Sequence, residues 1–468
     1  MGAIAAVFND NSEDSDALLK TMLHEMKHRG TKITTLHKAC SNGHIAVTGY
    51  AGNRNRSTQV FESDQASTVL DGSIFRTDDG ARFANHRLDK GASIRGAVKR
   101  ILEEPAAFAC VFYRNNRLCT FRDLNGLKPL YYSRGPRIMA LSSERKALWR
   151  IGAKNVERIV PGHLYSITQS GQTDVTVTRF VRSGENPMTI RRACSRLSSL
   201  LQRSARRVTQ RVDKIAVAFS GGIDSALTAL LAQRTNSKVE GVSVGLAGSV
   251  ELTTVEHFAR ELDLPLTIET FPPDAMEEYV RRVVWLIEEP NLMKVSVAIP
   301  LHWAAKVAAS RGCGVMLCGQ GSDELYGGYY KYARTLDSKG RRALRGELYR
   351  SVVDSAEVNY ERDDQATSPF GTEMRTIFAD LDVIKFSLSI PTEFKVKPGN
   401  DVMRKWVLRG TAKDLGLPED IVWRRKKAIQ HGTGVENAIR KLAKKRGLTA
   451  EGYLLRVHEE VKALSSMP

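Results

Sequence analysis

The stretch Lys214-Ile215-Ala216-Val217-Ala218-Phe219-Ser220-Gly221-Gly222-Ile223-Asp224-Ser225 decides the architecture. Lys214 to Phe219 is a short apolar run that reads as a buried strand, and Asp224 to Gln233 carries a helical pattern. Between them the glycines let the backbone approach a phosphate closely, and the helix start offers unpaired N–H groups. Ser220 and Ser225 add hydroxyl donors, so the turn suits a pyrophosphate. Outward from this point, Val239 to Val244 reads as a second strand, Leu252 to Leu262 as a helix, and Gly314 to Leu317 as a third buried strand that runs into a second glycine-rich loop. Alternating strand and helix implies an α/β domain with a parallel sheet covered on both faces. Ligands in such sheets bind beyond the carboxyl ends of the strands, where both loops fall. A Walker-type loop needs Gly-Lys before Ser or Thr, and the chain has no Gly-Lys pair, which disfavours kinase-like γ-phosphate transfer.

At 468 residues the chain exceeds what one hydrophobic core supports, so two large domains are expected. Residues 3 to 180 are dominated by short β-rich runs such as Ala109-Cys110-Val111-Phe112-Tyr113, and read as a sheet-rich α+β domain. Ser183-Gly184-Glu185-Asn186-Pro187 precedes a long helical pattern from Thr189 to Thr209, placing the boundary near residue 185: one domain over 1–185, the other over 186–468. No apolar stretch approaches the roughly 18 to 20 residues of a membrane span, and the N-terminus lacks a secretion signal, so the expected compartment is the cytoplasm. Six cysteines without a CxxC pair read as buried free thiols.

The net charge of +18, from 70 Lys and Arg against 52 Asp and Glu, raises nucleic acid as a partner. The basic residues are spread over several segments without interleaved aromatics, so that reading is not favoured. His24-Glu25-Met26-Lys27-His28 matches the HExxH pattern of zinc peptidases, but Arg29-Gly30-Thr31 ends the helix at once and no third ligand is suggested nearby.

Ser220 to Ser225 resembles the SGGxDS loop of the N-type ATP pyrophosphatases, which split ATP between its α and β phosphates. Cys318-Gly319-Gln320-Gly321-Ser322-Asp323-Glu324-Leu325-Tyr326-Gly327-Gly328-Tyr329 resembles the GEGxDExFGGY segment of asparagine synthetases, in the family's order. The resemblance extends over nearly the whole chain. His28-Arg29-Gly30, Arg122-Asp123-Leu124-Asn125-Gly126, Ser143-Glu144 and Pro161-Gly162 look like marks of the family's glutaminase domain, a class II, Ntn-hydrolase-like sandwich. Glu289-Pro290, Glu373-Met374-Arg375 with Asp380, and Arg425-Lys426-Lys427 before Gly432 resemble its synthetase domain.

The resemblance implies that a carboxylate attacks the α-phosphate of ATP, giving an acyl-adenylate and pyrophosphate, and that an amine then displaces AMP. It maps magnesium binding onto Asp224 and Asp323, transition-state stabilisation onto Lys426, and adenine or ribose contacts onto the backbones of Ala218, Val244, Cys318 and Gly319. The phosphate loop is Ser220, Gly221, Gly222, Asp224 and Ser225. Gln320 stands where the family commonly has glutamate, and is expected to hydrogen-bond substrate. The implied partners are a small carboxylic acid, aspartate first, together with ATP and Mg2+; a homodimer is left open.

Glutaminases of this kind use an N-terminal cysteine, and here the position holds Gly2. Asp71 and Arg76 replace the asparagines of the family's NGEIYN segment. Ammonia is therefore expected as nitrogen source rather than glutamine. The rival readings are a β-lactam synthetase or peptide-cyclase-like ligase using another amine, and a PP-loop enzyme modifying tRNA.

Overall fold

In the computed structural model, Lys214–Ala218 is the central strand of a five-stranded sheet ordered Leu266–Phe271, Lys238–Leu246, Lys214–Ala218, Val315–Cys318, Glu373–Thr376. Every pairing in it is parallel. The structure describes all of the chain except residues 1, 10–11, 31, 41–42, 52–57, 64–65, 92, 115–116, 136–137, 169–170, 183, 249–251, 426–431 and 465–468.

Alternation along the central strand builds both faces. Ile215 and Val217 enter a core with the helices Ile190–Thr209 and Ile223–Gln233, whereas Ala216 faces Met276–Ile287, Leu292–Ser310 and Ala450–Ala463. From the central strand the chain winds outward through two strands on one side, then returns to lay Val315–Cys318 on the other. The order thus reverses between Lys214–Ala218 and Val315–Cys318, the crevice where such sheets bind ligands. Both glycine-rich loops leave the sheet there.

Two strands of this sheet escape a sequence reading. Leu266–Phe271 is a half-exposed edge with no continuous apolar run, and Glu373–Thr376 is only four residues and mostly polar. Residues 330–355 form a helical hairpin: Gly340 takes φ 78°, and Lys331 Nζ lies 3.5 Å from Ser351 Oγ. In one straight helix those residues would stand about 30 Å apart.

The front half holds two six-stranded sheets, one running Glu157–Arg158, Tyr131–Arg134, Ile138–Ser142, Ala3–Asn9, Gly43–Ala51, Lys32–Cys40. The other runs Gly171–Thr176, His163–Thr168, Arg117–Arg122, Ala106–Arg114, Ala66–Ile74, Thr58–Glu62. Ile4 and Ala6 meet Val69, Ala109 and Val111 between the sheets, while Ala3, Ala5 and Val7 face Ser12–Glu25 and Arg145–Arg150. Leu70, Phe108 and Cys110 pack on Gly80–Lys90 and Ile94–Leu102. The layers are therefore helix, sheet, sheet, helix.

The halves meet through buried charge. Arg29 is bonded to Glu144 and, at 2.9 Å, to Asp364, whose other oxygen accepts Lys128 Nζ at 2.8 Å. Glu361 is held by Arg122 at 2.6 Å, Tyr131 at 2.8 Å and Arg158 at 2.8 Å. Glu288 accepts the backbone N–H groups of Arg145 and Lys146, and so caps a front-half helix from the rear half. The HRG and RDLNG motifs thus supply seam contacts. His24 is exposed, whereas the half-buried His28 is bonded to Glu144 at 3.0 Å, so the HExxH histidines do not converge.

Candidate active site

The first loop is shaped by its own hydroxyls. Ser225 Oγ accepts the Ser220 N–H at 3.2 Å and donates to the Gly222 carbonyl at 3.0 Å, tying the turn onto the helix Ile223–Gln233. Gly222 is the N-cap of that helix and offers its first turn no side chain. Gly319 of the second loop passes so near that a Cβ there would stand 2.6 Å from Asp224 Cβ. Gly328 is as constrained: its Cβ would lie 1.8 Å from Asp323 Oδ1 and 2.3 Å from Lys405 Cε.

One cavity of about 650 Å³ opens over the switch point. Every residue expected at the site lines it except two. Gly221 stands beside it, with its carbonyl accepting Arg424 Nη1 at 3.0 Å. Lys426 lies outside the described residues, although Arg424 and Arg425 before it and Gly432 and Thr433 after it line the cavity. Volume and mixed lining suit a nucleotide together with a small acid.

Sequence reading missed Lys405, the cation at the centre. Its Nζ lies 2.7 Å from both oxygens of Asp224, 2.6 Å from Asp323 Oδ1 and 3.1 Å from Ser322 Oγ. These carboxylates raise its pKa against the opposing effect of burial, which is the largest single influence. Lys405 and Arg404 both take left-handed backbone angles, φ 57° and 51°. Asp401 holds that turn by accepting the N–H groups of Met403 and Arg404, each at 2.9 Å. Consecutive non-glycine residues in this conformation store strain of the kind found at functional sites. The two aspartates and Ser322 are hard oxygen donors already converged on one cation, a set that fits magnesium.

The far wall is carried by a π-helical turn, Ala356–Tyr360, and the helix Glu361–Thr367 after it. Asn359 Nδ2 and Tyr329 OH donate to Glu324 Oε1 at 2.8 and 2.6 Å, while burial and the neighbouring Asp323 push the Glu324 carboxyl up. Arg362 is paired with Asp363, at 2.8 Å from Nε, and Gln320 lines the cavity with its backbone carbonyl accepting Thr376 Oγ1 at 2.7 Å.

In the front half, Gly2 is buried, and its carbonyl accepts Arg29 Nη1 at 3.2 Å. Asp71 is buried, and Arg76 turns outward to Glu104 at 3.2 Å. Cys110 and Cys119 lie in the core beneath the helices 80–102; burial pushes the Cys119 thiol up to about 11.

Known proteins are similar to this chain over most of its length. The family model described as asparagine synthase matches residues 196–342 and 335–458. A Methanocaldococcus jannaschii protein provisionally named asparagine synthetase (glutamine-hydrolyzing) 1 is 32% identical over 393 residues, 74% of this chain and 72% of its own length. The asparagine synthetase (glutamine-hydrolyzing) of Triphysaria versicolor is 25% identical over 465 residues, 91% of this chain and 76% of its own. Among solved structures, glutamine phosphoribosylpyrophosphate amidotransferase from B. subtilis gives a partial likeness, with TM-score 0.33, 14% identity, and coverage of 58% of this chain and 81% of that one. The chain belongs to the asparagine synthase family of ATP-dependent ligases that form carbon–nitrogen bonds.

Proposed function

We propose that this ligase activates a carboxylic acid, aspartate first, as an acyl-adenylate and aminates it with free ammonia. The observation that carries the reading is the meeting of Asp224, Asp323 and Lys405 between two glycine-rich loops in one cavity. With the phosphates over the helix start at Gly222, an oxygen of the acid attacks the α-phosphorus and the bond to pyrophosphate breaks. Ammonia then adds to the acyl carbon and AMP departs with the electron pair of the C–O bond.

Lys405 and the loop N–H groups stabilise charge on the departing pyrophosphate. Lys426 would serve the same transition states from the loop after Arg425. Asp224 and Asp323 would hold magnesium, which when bound neutralises phosphate charge. Adenine and ribose lie against the backbones of Ala218, Val244, Cys318 and Gly319.

The nitrogen source follows from the front half, which we read as an Ntn-hydrolase-like glutaminase domain over 1–185 joined to a synthetase domain over 186–468. Gly2 has no side chain with which to form a thioester. Asp71 and Arg76 do not reproduce an asparagine pair, and Cys110 and Cys119 are buried in the core under the helices Gly80–Lys90 and Ile94–Leu102. The domain survives as a scaffold, its HRG and RDLNG residues gripping Asp364 and Glu361. No described helix is long and apolar enough to cross a membrane, and the cytoplasm is the compartment we propose.

Pyrophosphate release across a panel of carboxylic acids, with ammonium or glutamine as donor, tests this reading. Aspartate with ammonium should be the productive pair. Glutamine-supported amide formation in ammonia-free buffer would overturn the donor assignment, and release that ignores aspartate would overturn the acid.

A further inference from the structure

A second cavity, of about 140 Å³, lies at the seam between the halves, where four helices end or pass. Its lining includes Glu25 from Ser12–Glu25, Trp149 and Arg150 from Arg145–Arg150, Trp285 from Met276–Ile287, and His458 and Lys462 from Ala450–Ala463. Glu25 belongs to the HExxH stretch, which the catalytic cavity leaves without a use.

Two buried polar atoms here lack partners. Glu25 is 4% exposed, and its Oε2 has no partner. The His458 Nε2 is likewise buried and unpartnered. Buried polar atoms left unpaired are costly, so a carboxyl oxygen and an imidazole nitrogen without partners on one cavity are complementary to a polar ligand that carries several donors. The nearest cation is already committed: Lys146 Nζ sits 2.5 Å from Glu144 Oε2 and over the Trp285 ring. Glu288 is committed as well, its oxygens accepting Arg145 N, Lys146 N and Gln365 Nε2. At the rim, Arg150 and Lys462 are exposed cations, with Lys462 Nζ over the Trp149 ring at 4.8 Å.

We infer that this cavity binds a small amino acid, its ammonium donating to Glu25 and His458 and its carboxylate facing Arg150 and Lys462. The volume admits a molecule of a few heavy atoms and excludes a nucleotide. Trp149 and Trp285 form apolar walls that favour an ammonium beside them. The cavity is wired to the catalytic one through Lys146, Glu144, Arg29 and Asp364, two residues from Arg362 on the catalytic wall. Occupancy therefore has a route to the synthetase chemistry, and the site suits sensing of an amino-acid pool.

The test is a tryptophan-fluorescence titration of the full-length protein with glycine, L-asparagine and L-glutamine, with succinate (no amine) and ammonium chloride (no carboxylate) as comparison arms. A saturable change with amino acids alone is expected. It should weaken at least tenfold in Glu25→Gln and in the exposed pair Arg150→Ala with Lys462→Ala, vanish largely in Trp149→Phe, and persist in Asp224→Asn. No saturable change, an equal response to succinate or ammonium chloride, or a response lost in Asp224→Asn but untouched by the rim pair would overturn the assignment.

Discussion

The ammonium of Lys405 stands 2.7 Å from both carboxylate oxygens of Asp224, between the two loops that carry the chemistry. Lys405→Met would strand Asp224 and Asp323 without a buried counter-charge, a loss of about 3–5 kcal/mol in stability. It would also remove a donor to pyrophosphate, lowering kcat by roughly 10²–10³. Thermal melting and ATP–pyrophosphate exchange measure the two effects separately. Asp224→Asn added to Lys405→Met should recover stability while exchange stays lost; recovery of exchange would show that the pair is structural only.

Gln320 lines the catalytic cavity together with Asp323, Glu324 and Arg362. Gln320→Glu would add a negative charge to a wall that already carries Asp323 and Glu324, and so oppose an anionic substrate there. Amide formation should therefore fall several-fold at neutral pH. A rise in rate would instead mean that the position lacks a catalytic base.

His28 is half-buried and bonded to Glu144, and loss of hydration holds its pKa down at about 4 against an ordinary value of 6.5. Between those values the unfolded chain binds a proton that the folded chain does not. Stability is therefore complete above about pH 6.5 and is lost as pH falls towards 4, by about 3 kcal/mol in all. His302, also held near 4 by burial, adds a slope of the same sign. Urea unfolding at pH 7 and pH 5 should show the loss, and His28→Gln should reduce it by about half; an unchanged slope would contradict this account of the seam.

What sequence reveals here is what local backbone geometry demands. The glycines and serines of 220–225 and 319–328 are visible because close approach and helix capping allow few other residues, as Gly319 and Gly328 illustrate. The parallel sheet follows from the strand and helix rhythm around them. Lys405 is invisible because it depends on a contact across 181 residues and on a left-handed turn that no glycine announces. The same holds for the seam: His28-Arg29-Gly30 is legible as a motif, but only the folded chain shows Arg29 reaching Asp364. The hairpin at Gly340 is hidden by helical pattern on both sides of one glycine.

The most direct test of the central claim is the fate of the acid's oxygen. With aspartate carrying heavy oxygen in its side-chain carboxylate, ATP and ammonium, the account predicts pyrophosphate and AMP as products, with one labelled oxygen in the AMP phosphate. Formation of ADP and phosphate, or unlabelled AMP, would contradict attack of the carboxylate on the α-phosphorus.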